Sequence, residues 1–356
     1  MSTTAYNLHN LLQKEFEVYS IFFLDNLNEV VDPNNFGNCF SISIISNRYL
    51  FFILSKLGIS IFKIRSVLMA MKIRWFLFKK SFSPDLIILN VPEFFFLTQI
   101  IFINKRKILI ANGLTSFEKF SIEEGDACKI LITPPSNRIK ELVKDYKIFP
   151  SKNIKLIFNS SLTQKIYSHF EIYNGLSEVC FFNFVNELPS SIRDFKDRKF
   201  DIAFIVSRQN RKIKNCELAL SLFNRFPNNK KIVIGSGENI FKNCPNTECI
   251  PFLPQNEIYK ILNDVKVLII TSYFDSSPGV QSEAIAMGAN ILVSKNIGWN
   301  HMMQTESVVN DYLNTNEWIE KINYLINNKV DNVKFNSILF NSNKFIKDYV
   351  HEFLVS

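Results

Sequence analysis

The sequence contains no CxxC pair of cysteines and no cysteine grouped with histidines. Its six cysteines therefore lack the ligand spacing of a structural zinc site, and we expect reduced thiols with structural roles. None of the four histidines stands in a recognisable catalytic motif. We accordingly expect no bound metal and no cofactor.

The sequence also has no clear secretory signal and no clear membrane span. Residues 1–14 include several polar side chains and lack the apolar core of a signal peptide. Residues 86–103 are apolar overall, but Asn90, Pro92 and Glu93 interrupt them, which favours a strand, a loop and a helix. These absences predict a cytoplasmic protein.

Acidic residues are absent from residues 33–84, where eight basic residues lie among large apolar ones. Over residues 48–80 this composition is typical of a surface that lies on an anionic membrane, where each basic residue contributes roughly 1 kcal/mol. Two core helices whose Lys and Arg side chains face solvent would have the same composition. Nucleic acid is a third partner to consider, but no recognised binding motif accompanies the charge, so we expect none.

The length allows two domains, and a hydrophobic content of 47% indicates a folded chain. Short apolar runs alternate with helical stretches, which is the pattern of an α/β protein with parallel sheets. A polar stretch at 187–199 is interpreted as a linker. We predict an N-terminal domain over 1–186, a C-terminal domain over 200–330 and a helical tail over 331–356.

The apolar runs also place the individual elements. The predicted strands are 17–24, 40–46, 86–90, 107–111, 129–133, 155–158, 201–206, 231–234, 266–270 and 291–294. The predicted helices are 137–147, 215–225, 256–262, 278–287, 317–327 and 341–354. No internal repeat short enough for a solenoid is visible.

Polar or glycine-rich segments follow the strands of the second half. Because the carboxyl ends of parallel strands meet at one edge of a sheet, these segments predict a ligand site there. Arg208 and Lys214 follow the first strand, and a guanidinium with an ammonium group can neutralise a departing diphosphate. A solvated basic loop is the alternative. Gly235 and Gly237 follow the next strand, and alone they are weak evidence for a ligand.

One short helix of the second half lies between two carboxylates. Asp275 precedes the helix and Glu283 lies within it, with seven residues between them. We predict Ser277 as the N-cap, Pro278 in the first turn and Gly288 in the left-handed conformation after the last turn. This arrangement can hold a sugar at one acid, a ribose at the other and phosphates at the amides between. An Asx turn at the first acid and a solvated helix face at the second are the alternatives.

Three segments carry a resemblance to a known family. SRQNRKIKN, KKIVIGSGE and FDSSPGVQSEAIAMGANILVSKNIG, in this order and spacing, resemble the donor half of glycosyltransferase family 4. Members of that family are retaining enzymes of GT-B fold that use nucleotide-diphosphate sugars. The resemblance covers about residues 201–328 and is faint before them. It implies an α/β chain of two Rossmann-like, doubly wound domains that face a central cleft.

The resemblance also implies roles for individual residues. Asp275 would bind hydroxyl groups of the donor sugar, and Glu283 would bind the ribose of the nucleotide. Arg208 and Lys214 would clamp the diphosphate, and with Asp275 they would carry catalysis. The implied donor-binding residues are Gly235, Gly237, Ser276, Ser277, Gly279 and Glu283.

The sequence departs from the family pattern at four points. Asp275 stands where the family usually has Glu, and the spacing from Arg208 to Lys214 is one residue longer than expected. The strand and glycine-rich loop that open the acceptor domain are not apparent; a helix is expected at 4–14 instead, so the first strand of that domain is expected to be missing. Asn112-Gly113 stands where a histidine is common. These departures bear on activity more than on the fold.

The function implied by the resemblance is sugar transfer, with retention, from a nucleotide-diphosphate sugar to a glycan or lipid-linked acceptor. The expected setting is assembly of a bacterial surface polysaccharide or lipopolysaccharide, at the inner face of the plasma membrane. An inactive glycosyltransferase-like subunit that binds a partner or a membrane is the alternative. A sugar-nucleotide epimerase is a second alternative, but it would need catalytic acids and a histidine in the cleft.

Overall fold

The structure is a computed structural model that covers the second half of the chain most fully. The residues it describes are 11–13, 15–16, 20–24, 39–43, 71, 73–75, 78–79, 83–89, 104–143, 146, 148, 151–175, 177–180, 191–237 and 239–355. Most of the basic segment 48–80 and most of the predicted helix at 4–14 lie outside these residues.

The described residues of the first half form two parallel sheets. Strands β1 (Ser20–Leu24) and β2 (Cys39–Ser43) pair in parallel, with Ser20 opposite Cys39. A separate four-stranded sheet has the strand order β3-β4-β5-β6. Its strands are β3 (Leu86–Leu89), β4 (Arg106–Ala111), β5 (Ile154–Phe158) and β6 (Ser177–Val179). Both β4 and β5 are almost wholly buried, as expected of central strands covered on both faces.

Helices follow the strands of this sheet. They are α1 (Thr115–Glu124), α2 (Ala127–Ile132), α3 (Asn137–Val143) and α4 (Ser161–His169). The predicted strand at 129–133 is wrong, because α2 occupies that stretch. Asp126 precedes α2 in extended backbone, and its carboxylate accepts a hydrogen bond from the Cys128 amide at 2.9 Å. A short apolar run fits a strand or a buried helix equally well, and here the cap selects the helix.

The second half folds around a six-stranded parallel sheet with the order β12-β11-β10-β7-β8-β9. Its strands are β7 (Phe200–Arg208), β8 (Lys231–Ser236), β9 (Thr247–Ile250), β10 (Val265–Ile270), β11 (Asn290–Ser294) and β12 (Val308–Val309). This is the doubly wound order, in which the winding reverses between β7 and β10. Ligands of such sheets bind in the crevice at the carboxyl ends of those two strands.

The helices of the second half begin and end at clear signals. They are α5 (Cys216–Asn224), α6 (Gln255–Leu262), α7 (Gly279–Ala286), α8 (Thr315–Asn327) and α9 (Val333–Val355). Asn215 caps α5 by accepting a hydrogen bond from the Leu218 amide, and Asn314 caps α8 by accepting from two amides. Gly288, after α7, has a φ of 72°, which is the left-handed conformation predicted for it.

The long helix α9 packs against both halves of the chain. Near its start, Phe335 is buried in the core of the C-terminal sheet. Further along, Ile346, Val350 and Phe353 are buried against the N-terminal sheet. The Arg106 guanidinium donates a hydrogen bond to the Phe353 carbonyl at 2.6 Å. The predicted tail therefore covers a face of the N-terminal sheet.

The predicted linker enters β7 through a buried arginine. The Arg198 guanidinium donates to the carbonyl oxygens of Val265 at 2.7 Å, Met287 at 3.0 Å and Leu262 at 3.4 Å. These carbonyls lie at the ends of α6 and α7 and at the start of β10. The end of the linker is therefore fixed to the C-terminal sheet.

Replacing Ile346 by Ala should destabilise the protein by about 2–4 kcal/mol, because it removes a buried side chain between α9 and the N-terminal sheet. Urea unfolding would measure the loss as a lower midpoint. Lys344→Ala on the same helix is the control, since Lys344 is exposed and its loss should change the midpoint little. Equal midpoints for both variants would contradict the packing.

Candidate active site

Lys214 and Asp275 meet at the crevice between β7 and β10. Lys214 ends a 3₁₀ turn (Lys212–Lys214) that follows β7, and Asp275 lies in the loop between β10 and α7. The Lys214 ammonium group forms an ion pair with Asp275 Oδ2, and the two side chains remain 19% and 17% exposed. Two of the residues predicted to contact the donor are therefore in direct contact, where doubly wound sheets bind their ligands.

A buried hydrogen-bond network fixes the turn that carries Lys214. The Thr271 hydroxyl donates toward the carbonyl oxygens of Lys214 at 3.0 Å and Asn215 at 3.1 Å. The Asn215 side-chain amide donates to the Tyr312 hydroxyl at 2.6 Å, and that hydroxyl donates to the Thr271 carbonyl at 2.7 Å. The position of Lys214 therefore depends on the end of β10 and on the segment after β12.

The loop that holds Asp275 is tied to the segment after β11. The Asp275 amide donates to the Asn296 carbonyl at 3.3 Å, and the Gly298 amide donates to the Asp275 carbonyl at 2.7 Å. A Cβ atom on Gly298 would lie 1.6 Å from the Ser276 carbonyl oxygen, so only glycine allows this close approach. The loop that carries the carboxylate is thus held in place by the segment after β11.

Asp275 also forms an Asx turn. Its Oδ1 accepts a hydrogen bond from the Ser277 amide at 3.4 Å, while its Oδ2 pairs with Lys214. The turn and the ion pair therefore coexist. The prediction that Ser277 caps the next helix is wrong, because Pro278 occupies the N-cap position and α7 begins at Gly279 without a side-chain cap. The amide groups of the first turn of α7 are consequently left without a capping side chain.

Glu283 lies in the middle of α7 and contacts α6. Gln255 Nε2, at the start of α6, donates a hydrogen bond to Glu283 Oε1 at 2.8 Å. Burial raises the pKa of the Glu283 carboxyl, and the hydrogen bond from Gln255 opposes that rise. Glu283 is the fourth residue after Gly279, which is about 6 Å along the axis. The second acid is therefore held by a neutral partner, about one turn past the start of the helix.

The other predicted residues lie at the carboxyl ends of β7 and β8. Arg208 ends β7 and is exposed. A Cβ atom on Gly235 would lie 2.5 Å from the Val206 carbonyl oxygen, so this glycine lets β7 and β8 approach each other. Gly237 has a φ of 106°, which favours glycine. The backbone geometry thus explains why glycine occupies both positions, and contact of these glycines with a donor stays a prediction.

The first half faces the site through the loops after β4 and β5. The Gly113 amide donates to the Ser276 hydroxyl at 3.2 Å, and Asn159 Nδ2 donates to the same hydroxyl at 2.9 Å. Trp299 Nε1 donates to the Asn159 carbonyl at 2.8 Å. Beside these contacts, a Cβ atom on Gly279 would meet no atom within 4 Å, so the start of α7 faces open space.

Several residues of the site gave no signal in the sequence. They are Asn159, Gln255, Trp299 and Tyr312. Each acts through a partner on another element, and only the three-dimensional structure supplies that partner.

Two further properties concern metals and membranes. Across the residues that the structure describes, no three His, Cys, Asp or Glu side chains are grouped in a way that could hold a metal ion. In the same part of the chain, no helix combines the length and the apolar content needed to cross a membrane.

The architecture agrees with that of solved glycosyltransferases. HepE of Anabaena, solved with UDP, is similar with a TM-score of 0.62 at 13% identity, over 98% of this chain and 96% of that one. Sucrose-phosphate synthase of Thermosynechococcus elongatus gives 0.61 at 12% identity, over 96% and 87%. WaaG, a glycosyltransferase involved in lipopolysaccharide biosynthesis, gives 0.58 at 11% identity, over 96% and 90%. The chain therefore has the GT-B fold, as predicted.

The sequence of the second half matches a known family model. Residues 191–338 match the model of glycosyl transferases group 1. No curated protein sequence matches the chain significantly. This match and the fold together support a glycosyltransferase.

Replacing Glu283 by Gln should raise the melting temperature near neutral pH. The pKa of Glu283 is higher in the folded than in the unfolded chain, so the folded state binds more protons and loses stability as pH rises through that range. Gln reproduces the neutral carboxyl and can accept the hydrogen bond from Gln255. The gain should be present at about pH 7.5 and disappear at about pH 3, which is below the ordinary pKa of a glutamate, so that Glu283 is protonated in both states. Melting curves at both pH values test this, and a gain that does not depend on pH would contradict it.

Proposed function

We propose that this chain transfers a sugar, with retention, from a nucleotide-diphosphate sugar to a glycan or lipid-linked acceptor, as a member of glycosyltransferase family 4. The observation that carries the proposal is the ion pair between Lys214 and Asp275 at the crevice between β7 and β10. It brings a cation suited to a leaving diphosphate into contact with a carboxylate suited to sugar hydroxyl groups.

The donor would lie along the start of α7. Its diphosphate would accept hydrogen bonds from the uncapped amides after Pro278, and Lys214 and Arg208 would neutralise its charge. Asp275 would bind the sugar, and Glu283 would bind the ribose about one turn further along. HepE of Anabaena was solved with UDP and glucose, which supports a donor of this class.

The proposed reaction needs little covalent chemistry from the protein. The acceptor hydroxyl forms a bond to the anomeric carbon on the face from which the diphosphate leaves. The bond between that carbon and the phosphate oxygen breaks, and a phosphate oxygen takes the hydroxyl proton. The protein contributes positioning and charge stabilisation, mainly through Lys214 and Arg208. The site therefore does not require a strong protein base.

The proposed setting is assembly of a bacterial surface polysaccharide or lipopolysaccharide at the inner face of the plasma membrane. The fold is shared with WaaG, which is involved in lipopolysaccharide biosynthesis. A lipid-linked acceptor would bring the first half of the enzyme to the membrane surface.

The described part of the basic segment supports this contact with a membrane. Residues 71, 73–75 and 78–79 are helical, and Met71, Trp75 and Phe78 are 62%, 63% and 84% exposed. Their spacing places the three apolar side chains on one side of a helix. Arg74 and Lys79 are also exposed. Such a surface fits an anionic membrane, into which the apolar side chains insert while the basic ones contact the headgroups.

An inactive glycosyltransferase-like subunit is the second candidate. The observation in its favour is that Asp275 is one methylene shorter than the usual Glu and is already engaged by Lys214. Such a subunit would bind a partner or a membrane without transferring sugar. Hydrolysis of the donor, assayed without an acceptor, separates the two candidates.

The class of donor can be tested by thermal shift with UDP-, GDP- and ADP-sugars. One of these sugars should raise the melting temperature, because a ligand that binds only the folded state stabilises it. The nucleotide part alone should give a smaller shift than the complete donor. No shift with any donor would contradict the proposed function.

Replacing Lys214 by Ala should lower donor turnover by about a hundredfold or more, because the leaving diphosphate loses its nearest cation. Donor hydrolysis without acceptor measures turnover, and a melting curve checks the fold. Lys212→Ala is the matched control, since Lys212 lies in the same turn with an exposed side chain. Near-normal turnover by the Lys214 variant would rule out the clamp.

Replacing Trp75 and Phe78 together by Ala should weaken binding to vesicles that contain phosphatidylglycerol by about tenfold or more, because two large apolar side chains no longer insert. Cosedimentation measures the binding, and added salt should weaken that of the wild type. Phe252→Ala is the control, because Phe252 is an exposed phenylalanine of the second half. Unchanged binding of the double variant would contradict the membrane surface.

A further inference from the structure

The Ser276 hydroxyl receives two hydrogen bonds from the opposite half of the chain. The Gly113 amide donates to it at 3.2 Å and Asn159 Nδ2 donates to it at 2.9 Å. A hydroxyl group has two lone pairs and one proton. Both accepting positions are therefore occupied, and the proton is left to be donated.

The orientation of the Asn159 amide is set by a chain of donors behind it. The Thr163 amide must donate, and it donates to Ser160 Oγ at 3.2 Å. The Thr163 hydroxyl donates to Asn159 Oδ1 at 2.6 Å. Its one proton is used there, so the Ser160 hydroxyl is the donor to Thr163 Oγ1 at 3.1 Å. With its oxygen engaged in this way, Asn159 presents its NH₂ group to Ser276.

Burial keeps this chain in one direction. Ser160 and Thr163 are 0% exposed and Asn159 is 5% exposed, so solvent has little access to reverse a hydrogen bond. Trp299 Nε1 and the Ala111 carbonyl also hold the Asn159 backbone, at 2.8 Å and 3.1 Å. The Ser276 hydroxyl is therefore polarised by a rigid part of the first half.

The Ser276 proton has room for an acceptor that is not part of the protein. Ser276 is half-buried and lies between Asp275 and the uncapped start of α7. Within the described ranges, its hydrogen bonds are the two that it accepts from Gly113 and Asn159. The start of α7 faces open space at Gly279. A group bound there would lie beside the free proton.

We propose that Asn159 is a positioning residue that aims the Ser276 proton at a phosphate oxygen of the bound donor. A group that can only donate matches a diphosphate, which at neutral pH can only accept, better than a sugar hydroxyl, which can do both. The inference rests on the proposed function, because the nucleotide-diphosphate sugar supplies that oxygen. It adds that donor affinity depends on contact between the two halves of the chain.

A double-mutant cycle on nucleotide affinity tests the inference. Calorimetry with UDP, GDP and ADP would first identify the nucleoside diphosphate that binds the wild type. Ser276→Ala should weaken its binding by about tenfold, the usual effect of losing a hydrogen bond to a charged group. Asn159→Ala should weaken it by about threefold to tenfold. The double variant should bind within about twofold of Ser276→Ala alone, because the amide acts only through the hydroxyl.

Two further variants accompany the double-mutant cycle, one as a second test and one as a control. Thr163→Val preserves shape but releases the Asn159 oxygen, so it should weaken binding by about threefold, and only when Ser276 is present. It carries the test if Asn159→Ala does not fold. Asn229→Ala is the matched control, because Asn229 bonds Asp201 at the opposite end of the sheet, and its affinity should equal that of the wild type.

The outcomes separate this inference from the proposed function. Two results would contradict the positioning role of Asn159 while leaving the nucleotide site intact. In one, the losses from Asn159→Ala and Ser276→Ala multiply in the double variant. In the other, Asn159→Ala binds the nucleotide as the wild type does. If the wild type binds none of the three nucleotides, the proposed function is wrong, and the positioning role of Asn159 is wrong with it. A purely structural role of Asn159 would lower the melting temperature without coupling to Ser276.

Discussion

The contact between Lys214 and Asp275 depends on the order of the strands in the C-terminal sheet. The two residues come from the loops after β7 and β10, which are adjacent in the sheet although 56 residues separate Arg208 from Val265 in the sequence. Because the winding reverses between these strands, the chain turns to opposite faces of the sheet after them, and both loops open into the crevice. The hydrogen bonds of Thr271, Asn215 and Tyr312 then fix the turn that carries Lys214 to the end of β10.

The two carboxylates of the site are held in different electrostatic surroundings. Asp275 contacts an ammonium group and remains partly exposed. Glu283 is half-buried beside the neutral amide of Gln255, and desolvation raises the pKa of its carboxyl. Environments that differ in this way give two acids different tasks. This difference fits the proposed roles, in which Asp275 binds the donor sugar and Glu283 binds the ribose.

The sequence predicted the elements that have long apolar runs or clear end signals. The predicted central strands of the second half agree with β7, β8, β10 and β11, and Gly288 ends α7 as expected. It missed β9 and β12, which have four and two residues and are too short to show a period. Asn159 could not be recognised because its partner, Ser276, is 117 residues away. The assignment of 129–133 to a strand failed because Asp126 caps a helix there.

The helix α9 limits how the cleft can change its width. Its 23 residues span about 34 Å, with Phe335 anchored in one core and Phe353 in the other. A helix held at both ends acts as a strut, so separating the halves along its length would pull a buried aromatic ring from its seat. Rotation about the helix axis leaves both anchors in place. The opening motion that costs the least free energy is therefore a rotation of the two halves about the axis of α9.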